Sequence, residues 1–266
     1  MPGYQNSILY KEGDGETYLL RPVSIDNRIS LEKISGTLYP NADPAQYTYS
    51  HEKSLKYNGA AFAWGDSTAV ADTVPPENGL DSPYSITLNN DHSILFVVDS
   101  NRLRAFSMPD GSLQYTASHP AGKTIQEIAF AGSVIALLKE DGTEKYSVLP
   151  YTDTLTAGTE TAIETTQTES QRAVESVSGL RSLGNTFYFV QKLSENYTGE
   201  NPVWFLESRT SANVFRSGIY LYEFQGMEIL PATVYSNLET SRLCITGRQR
   251  HYSRNPFSLL ENLSRP

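Results

Sequence analysis

The 266-residue sequence contains a single cysteine, Cys244. No intrachain disulfide can form, which excludes a small secreted scaffold held by cross-links. No stretch approaches the roughly 20 apolar residues of a membrane-spanning helix. Residues 1–20 carry Lys11, Glu12, Asp14 and Glu16 and lack an apolar core, so they do not read as a secretory signal. The expectation is a soluble protein made in the cytosol. Histidine is scarce: His51, His92, His119 and His251 are dispersed, and none lies four residues from another. Zinc needs three or four nitrogen or sulfur ligands held tetrahedrally. No metal site is therefore expected, and the histidines are assigned to turns or the surface.

Catalytic fingerprints are missing as well. No Gly-x-Ser-x-Gly, phosphate-binding loop or dinucleotide fingerprint occurs. Asn90-Asp91-His92-Ser93 begins like a calcium loop, but the required alternation of oxygen ligands stops after two residues. Asp91, Asp99, Asp110 and Asp141 stand where aspartate is favoured because it hydrogen-bonds its own backbone in a turn. The chain is read as non-enzymatic, with no cofactor. Hydrophobic residues make up only 39%, and Thr, Ser, Asn, Gly and Tyr fill the remainder. That mixture suits many short strands and turns better than long helices.

What is present is patterning. Ile86-Thr87-Leu88 leads through the turn formers 89–92 into the apolar run Ser93–Val98. Asp99-Ser100-Asn101 turns, and Arg102–Phe106 alternates polar with apolar, as a half-buried strand should. Pro109-Asp110-Gly111-Ser112 is a turn, followed by an outer strand from Ser112 to Tyr115. A second unit repeats the order: Ile125–Phe130, Ala131-Gly132, the buried run Ser133–Leu138, Glu140-Asp141-Gly142 and Lys145–Leu149. The runs recur about 40 residues apart, a period at which small sheets stack because one unit cannot bury both its faces. Thr186–Val190, Val203–Ser208 and Gly218–Phe224 read as further strands. Low-apolar residues 152–172 read as a surface excursion, with an outer strand and then a short helix over Ser170–Ser176. Pro256–Leu263 reads as a helix capped by Asn255.

These units resemble blades of the β-propeller repeat class over about residues 86–150, and less closely at 184–190 with 218–224 and at 59–70. No Trp-Asp dipeptide is present; a β-sandwich of hairpins would share much of the pattern. The expected fold is all-β, propeller-like or built of stacked antiparallel sheets with extended terminal arms. The boundaries are an N-terminal arm over 1–24, with a first strand, Thr17–Leu20, ended by Pro22, then a repeat body over 25–241 and a basic C-terminal arm over 242–266.

The formal charge is −9 and the pI about 5.0, which disfavours nucleic acid and anionic membranes as partners. The charge is uneven: from Arg242 onward, five arginines face one acid, Glu261. Arg242, Arg248, Arg250, His251, Tyr252 and Arg254 are the candidate interface residues. The alternatives for this run are a solvated or self-paired face, docking on an acidic protein surface and, last, nucleic acid. Tyrosine outnumbers phenylalanine 17 to 10, which fits wet interfaces and half-buried strands equally. In cysteine poverty, in Tyr, Thr and Asn content and in its arms the chain resembles bacteriophage tail and head–tail connector proteins. That resemblance implies a structural or adaptor subunit of a virion, binding other subunits and forming a homo-oligomer. A cellular protein of this type would be cytoplasmic. The rival reading is a carbohydrate-binding or carbohydrate-hydrolysing propeller, its pocket lined by Trp64, Trp204, tyrosines and acids.

Overall fold

Turn chemistry cuts this chain into antiparallel meanders. The computed structural model describes residues 7–12, 15–36, 48–65, 78–100, 102–163, 173–194, 203–230, 240–249 and 257–261. Among them, strands fall into four sheets, each a sequential up-and-down meander. The first sheet holds β1 (Ile8–Lys11), β2 (Thr17–Val23), β3 (Arg28–Ser35), β4 (Thr48–Tyr57) and β5 (Phe62–Gly65). The second holds β6 (Ser85–Leu88), β7 (Ile94–Val98), β8 (Arg102–Ser107) and β9 (Leu113–Ser118). The third holds β10 (Lys123–Phe130), β11 (Val134–Glu140), β12 (Tyr146–Tyr151) and β13 (Thr161–Ala162). The fourth holds β14 (Val174–Leu183), β15 (Thr186–Leu193), β16 (Val203–Thr210), β17 (Phe215–Leu230), β18 (Arg242–Gln249) and β19 (Phe257–Glu261). The all-β class and the blade-like connectivity match the sequence reading, and strand order never departs from chain order.

Contacts divide the chain into two units. One comprises Met1–His119, Asp153–Thr156 and Leu230–Ser241. Within it, the first sheet packs Leu20, Ile29, Leu55 and Phe62 against Ile86, Leu95, Val97 and Phe106 of the second. β7 is a central strand covered on both faces: Leu95, Phe96, Val97 and Val98 are all fully buried. That is why its sequence reads as an unbroken apolar run rather than an alternation.

The other unit comprises Pro120–Thr152, Ala157–Ile229 and Arg242–Pro266. Its third sheet repeats the second in order, with β11 as the buried strand from Val134 to Leu138. Ile135, Leu137 and Val148 pack on Val177, Leu180, Phe187 and Phe189 of the fourth sheet. A carboxylate fastens the two sheets. A bulge between Ser178 and Arg181 interrupts the β14 ladder, and Glu127 accepts the N–H groups of Gly179 and Leu180, each at 2.9 Å. Burial pushes the Glu127 carboxyl up, against the pull of Arg181 and these two donors.

Three local expectations are corrected. Phe257–Glu261 is not helical; it is β19, pairing with β18 from Gly247↔Phe257 to Leu243↔Glu261. Its proposed cap, Asn255, and Pro256 lie outside the described residues. Val174–Ser176, expected at the end of a short helix, begins β14 opposite Leu193 and Lys192. In both places a neighbouring strand's ladder overrides a weak local preference. β2 runs on through Pro22, where the first strand was expected to stop. Among the described residues β1 pairs with β2 only as far as Leu20, so Pro22 lies beyond that pairing, where a missing N–H costs it no bond. Residues 1–24 supply β1 beside the expected strand, here β2, and Arg242–Gln249 forms β18.

Candidate functional site

The Arg102–Phe106 alternation reads as a half-buried strand with both arginines at its polar positions. Arg104 is 2% exposed. Its Nε lies 3.2 Å from Asp99 Oδ2, Nη1 and Nη2 donate to the carbonyls of Asn78 and Gly79 at 3.0 and 2.6 Å, and the guanidinium sits 5.3 Å from the Phe62 ring centre. Burial draws the Arg104 pKa down and Asp99 opposes it. Asp99 keeps its expected turn role, accepting Arg102 N–H at 2.8 Å, and adds this buried pairing, which its position in a turn did not reveal. Burial and the Asp99 charge together push the Tyr84 hydroxyl up.

This pair anchors the floor of a groove of about 500 Å³, lined by Tyr57, Phe62, Arg102, Arg104, Leu113 and Thr116 among others. Among the described residues no carboxylate lines it. Arg102 has no ion-pair partner among the described residues. The groove runs beside β9, whose single partner among them is β8. Five of its six residues are exposed, Leu113 and Tyr115 at 40% and 43%. An edge strand carries a row of backbone groups able to pair with another chain. Among the large apolar side chains that stay exposed are also Tyr49, Val214 and Phe215, the last two where β16 turns into β17.

Other polar clusters are consumed internally. Glu207 is fully buried; Arg209 Nε lies 2.5 Å from one carboxylate oxygen and Gln191 Nε2 2.5 Å from the other. Arg209 also donates to Asn213 Oδ1 at 3.0 Å and covers the Phe189 ring at 5.2 Å. His51, expected at the surface or in a turn, stands in β4 between Ser30 Oγ at 3.3 Å and Ser54 Oγ at 3.4 Å. Both serines are 1% exposed, so neither hydroxyl is offered to a solvent-borne substrate. His92 is in a turn as expected, at φ 58°, with its ring edge-on to Tyr10. Among the described residues no three His, Cys, Asp or Glu are placed to hold a metal ion, and no helix is long and apolar enough to cross a membrane.

Asp91 and Asp110 behave as anticipated, whereas Asp141 accepts the Thr124 hydroxyl of β10 at 2.9 Å. Asp91 accepts Ser93 Oγ at 2.6 Å and its N–H at 3.0 Å; Asp110 accepts the Ser112 N–H at 3.0 Å and Oγ at 2.9 Å. The Ser93 hydroxyl holds Asp91, and the Ser112 N–H holds Asp110, below the ordinary aspartate value of 3.8. A folded value below the unfolded one means the stabilisation is present above pH 3.8 and lost as pH falls through the folded value. Carboxyl-carbon NMR titration is expected to place both midpoints below 3.8, and Ser93→Ala to raise that of Asp91 alone.

Of the candidate interface residues, Arg242 opens β18, half-buried, its Nε enclosed and without a hydrogen-bond partner among the described residues. Arg248 lies on the same strand. Arg250, His251, Tyr252 and Arg254 lie outside the described residues. Cys244 is half-buried, and burial pushes its thiol up. Trp64 borders a depression of about 460 Å³ with Tyr10, Lys11, Lys53, Asp91 and His92, and donates Nε1–H to Met108 O at 2.7 Å. Trp204, in β16, tilts against Phe224 at 5.5 Å.

No protein-family model matches the chain, and no curated protein matches it in sequence. Among solved structures, it is similar to one described as the WD40 domain of SCAP from fission yeast, at 10% identity and a TM-score of 0.36, over 90% of this chain and 71% of that one.

Proposed function

We propose that this protein is a non-enzymatic structural or adaptor subunit that works through contacts with other protein chains. The observation that carries this reading is β9: an edge strand whose single partner among the described residues is β8, exposed along nearly its whole length, with apolar Leu113 and Tyr115 on it. Such an edge invites pairing unless a partner covers it. The internal use of the buried charges adds support, since Asp99, Arg104, Glu207 and Arg209 are engaged in holding the sheets. The finer reading is a tail or connector component of a virion, made in the host cytoplasm and forming a homo-oligomer. It rests on composition: one cysteine and many Tyr, Thr and Asn. The basic residues Arg242, Arg248, Arg250, His251, Tyr252 and Arg254 belong to it as a second contact region.

The test is native mass in solution across concentration and salt, for the full chain and for Leu113→Lys/Tyr115→Lys. Expected is self-association that this double substitution weakens at least about tenfold, because it replaces the two apolar side chains of the edge by solvated charges. A monomer at every concentration, or an oligomer indifferent to the substitution, removes β9 as the assembling edge.

A second reading has its own observation. The Trp64 depression combines an aromatic ring with two lysines, Asp91 and His92, a lining suited to a carbohydrate. A glycan panel that shifts Trp64 fluorescence, with the shift lost in Asp91→Ala, would favour it.

A further inference from the structure

We infer that the groove beside β9 receives an extended, acidic segment of a partner protein, added as a strand to the β9 edge. The inference rests on the assembly reading and names the chemistry of its partner. Three features converge. Cross-strand pairing sets Arg104 opposite Thr116 and Arg102 opposite Ser118, so both arginines share one face of the β8–β9 ladder with the two hydroxyl residues. Among the described residues, the groove on that face is lined by two guanidinium groups and by no carboxylate, in a chain whose net charge is −9. Arg104 is already neutralised by Asp99, whereas Arg102 has no ion pair among the described residues. Next to them, Tyr57, Phe62 and Leu113 form an apolar wall.

A strand laid along β9 would place alternate side chains over this face. A carboxylate from one position reaches Arg102 as a charge-assisted pair, and an apolar side chain from another meets the Tyr57–Leu113 wall. Backbone pairing supplies affinity without regard to sequence, while the arginine and the wall select acidic, apolar-alternating segments. The local excess of positive charge in an acidic molecule also rejects basic segments and other copies' basic runs at this edge.

The probe is a labelled short peptide alternating glutamate with valine and phenylalanine, read by fluorescence anisotropy on the full chain. Controls replace glutamate by lysine, or N-methylate alternate backbone nitrogens. The acidic peptide is expected to bind at least about tenfold tighter than its lysine counterpart. Arg102→Glu, a half-buried position whose side chain supports no other residue by an ion pair, abolishes that preference, and N-methylation abolishes binding. Equal binding of the lysine and glutamate peptides, or an unchanged preference in Arg102→Glu, overturns the acidic partner. Equal binding of the N-methylated peptide overturns strand addition. These outcomes are separable from the assembly reading: if Leu113→Lys/Tyr115→Lys dissolves an oligomer while acidic peptides are ignored, β9 assembles the protein and this partner assignment alone fails.

Discussion

Replacing Arg209 by methionine is expected to cost the fold about 3–5 kcal/mol, the loss typical of removing one member of a buried ion pair. Glu207 is fully buried and Arg209 4% exposed, so the substitution leaves a carboxylate with only the Gln191 amide to meet it. It also uncovers the Phe189 face and frees the Asn213 carbonyl. For a domain whose whole stability is about 5–15 kcal/mol, this shifts the denaturation midpoint far. Burial already pushes the Glu207 carboxyl above the ordinary 4.5, and Arg209 is the main opposing influence. Without Arg209 the folded value rises further. A folded value above the unfolded one makes the penalty largest at high pH and relieves it as pH falls through that value. The deficit of Arg209→Met is therefore larger at pH 8 than at pH 5, whereas a purely steric loss is indifferent to pH. The double variant Glu207→Gln/Arg209→Met, which removes the charge altogether, is expected to recover part of the loss. Urea titrations of wild type and the variants decide it. A single-variant cost below about 1 kcal/mol would show that Glu207 finds another partner or folds protonated.

Much of the architecture is legible because strand sequences state their burial. The run from Ile94 to Val98 has no polar residue, and a strand without alternation must be covered on both faces. Turn residues do the rest: Asp91, Asp99, Asp110 and Asp141 all fall between strands. What is not legible is the partner across space. Arg104 and Arg102 stand in the same alternating strand, and nothing local says that one is sealed under Phe62 while the other has no ion pair among the described residues. Arg209, just past the strand read as Val203–Ser208, likewise shows no sign of its burial until Glu207 and Gln191 are seen beside it. The terminal β-pairing of Phe257–Glu261 is a further case. Five residues with a proline before them look like a helix start, and only the neighbouring edge of β18 makes them a strand. The groove beside β9 is built from β4, β5, β8 and β9, so no single motif could have announced it.

The two Asp-Gly turns show this limit within one dipeptide, and they carry the second large effect. Gly111 and Gly142 each follow an aspartate and each adopt φ +74°, a left-handed conformation that costs other residues about 1–2 kcal/mol. By local sequence, alanine at either position is expected to cost the same. The surroundings differ. At Gly142 an added Cβ meets nothing within 4 Å. At Gly111 it meets Leu55 Cδ1 at 2.7 Å, Trp64 N at 2.8 Å and Ala63 C at 3.0 Å. Two of these are backbone atoms of β5, which cannot rotate aside, and the Gly111 N–H is itself bonded to Ser107 O at 2.8 Å. Overpacking of this kind adds about 1–3 kcal/mol to the conformational strain. Gly142→Ala is therefore expected to cost about 1–2 kcal/mol and Gly111→Ala about 2–5 kcal/mol. Equal losses would mean that the β8–β9 turn can lift away from β5. Gly111→Ala also reaches the candidate surface, because this turn fixes where β9 and Leu113 stand relative to Tyr57 and Phe62. If β9 is the assembling edge, Gly111→Ala weakens association under conditions where the chain is still folded, and Gly142→Ala does not. The paired measurement thus separates a turn that merely connects two strands from one that positions a surface.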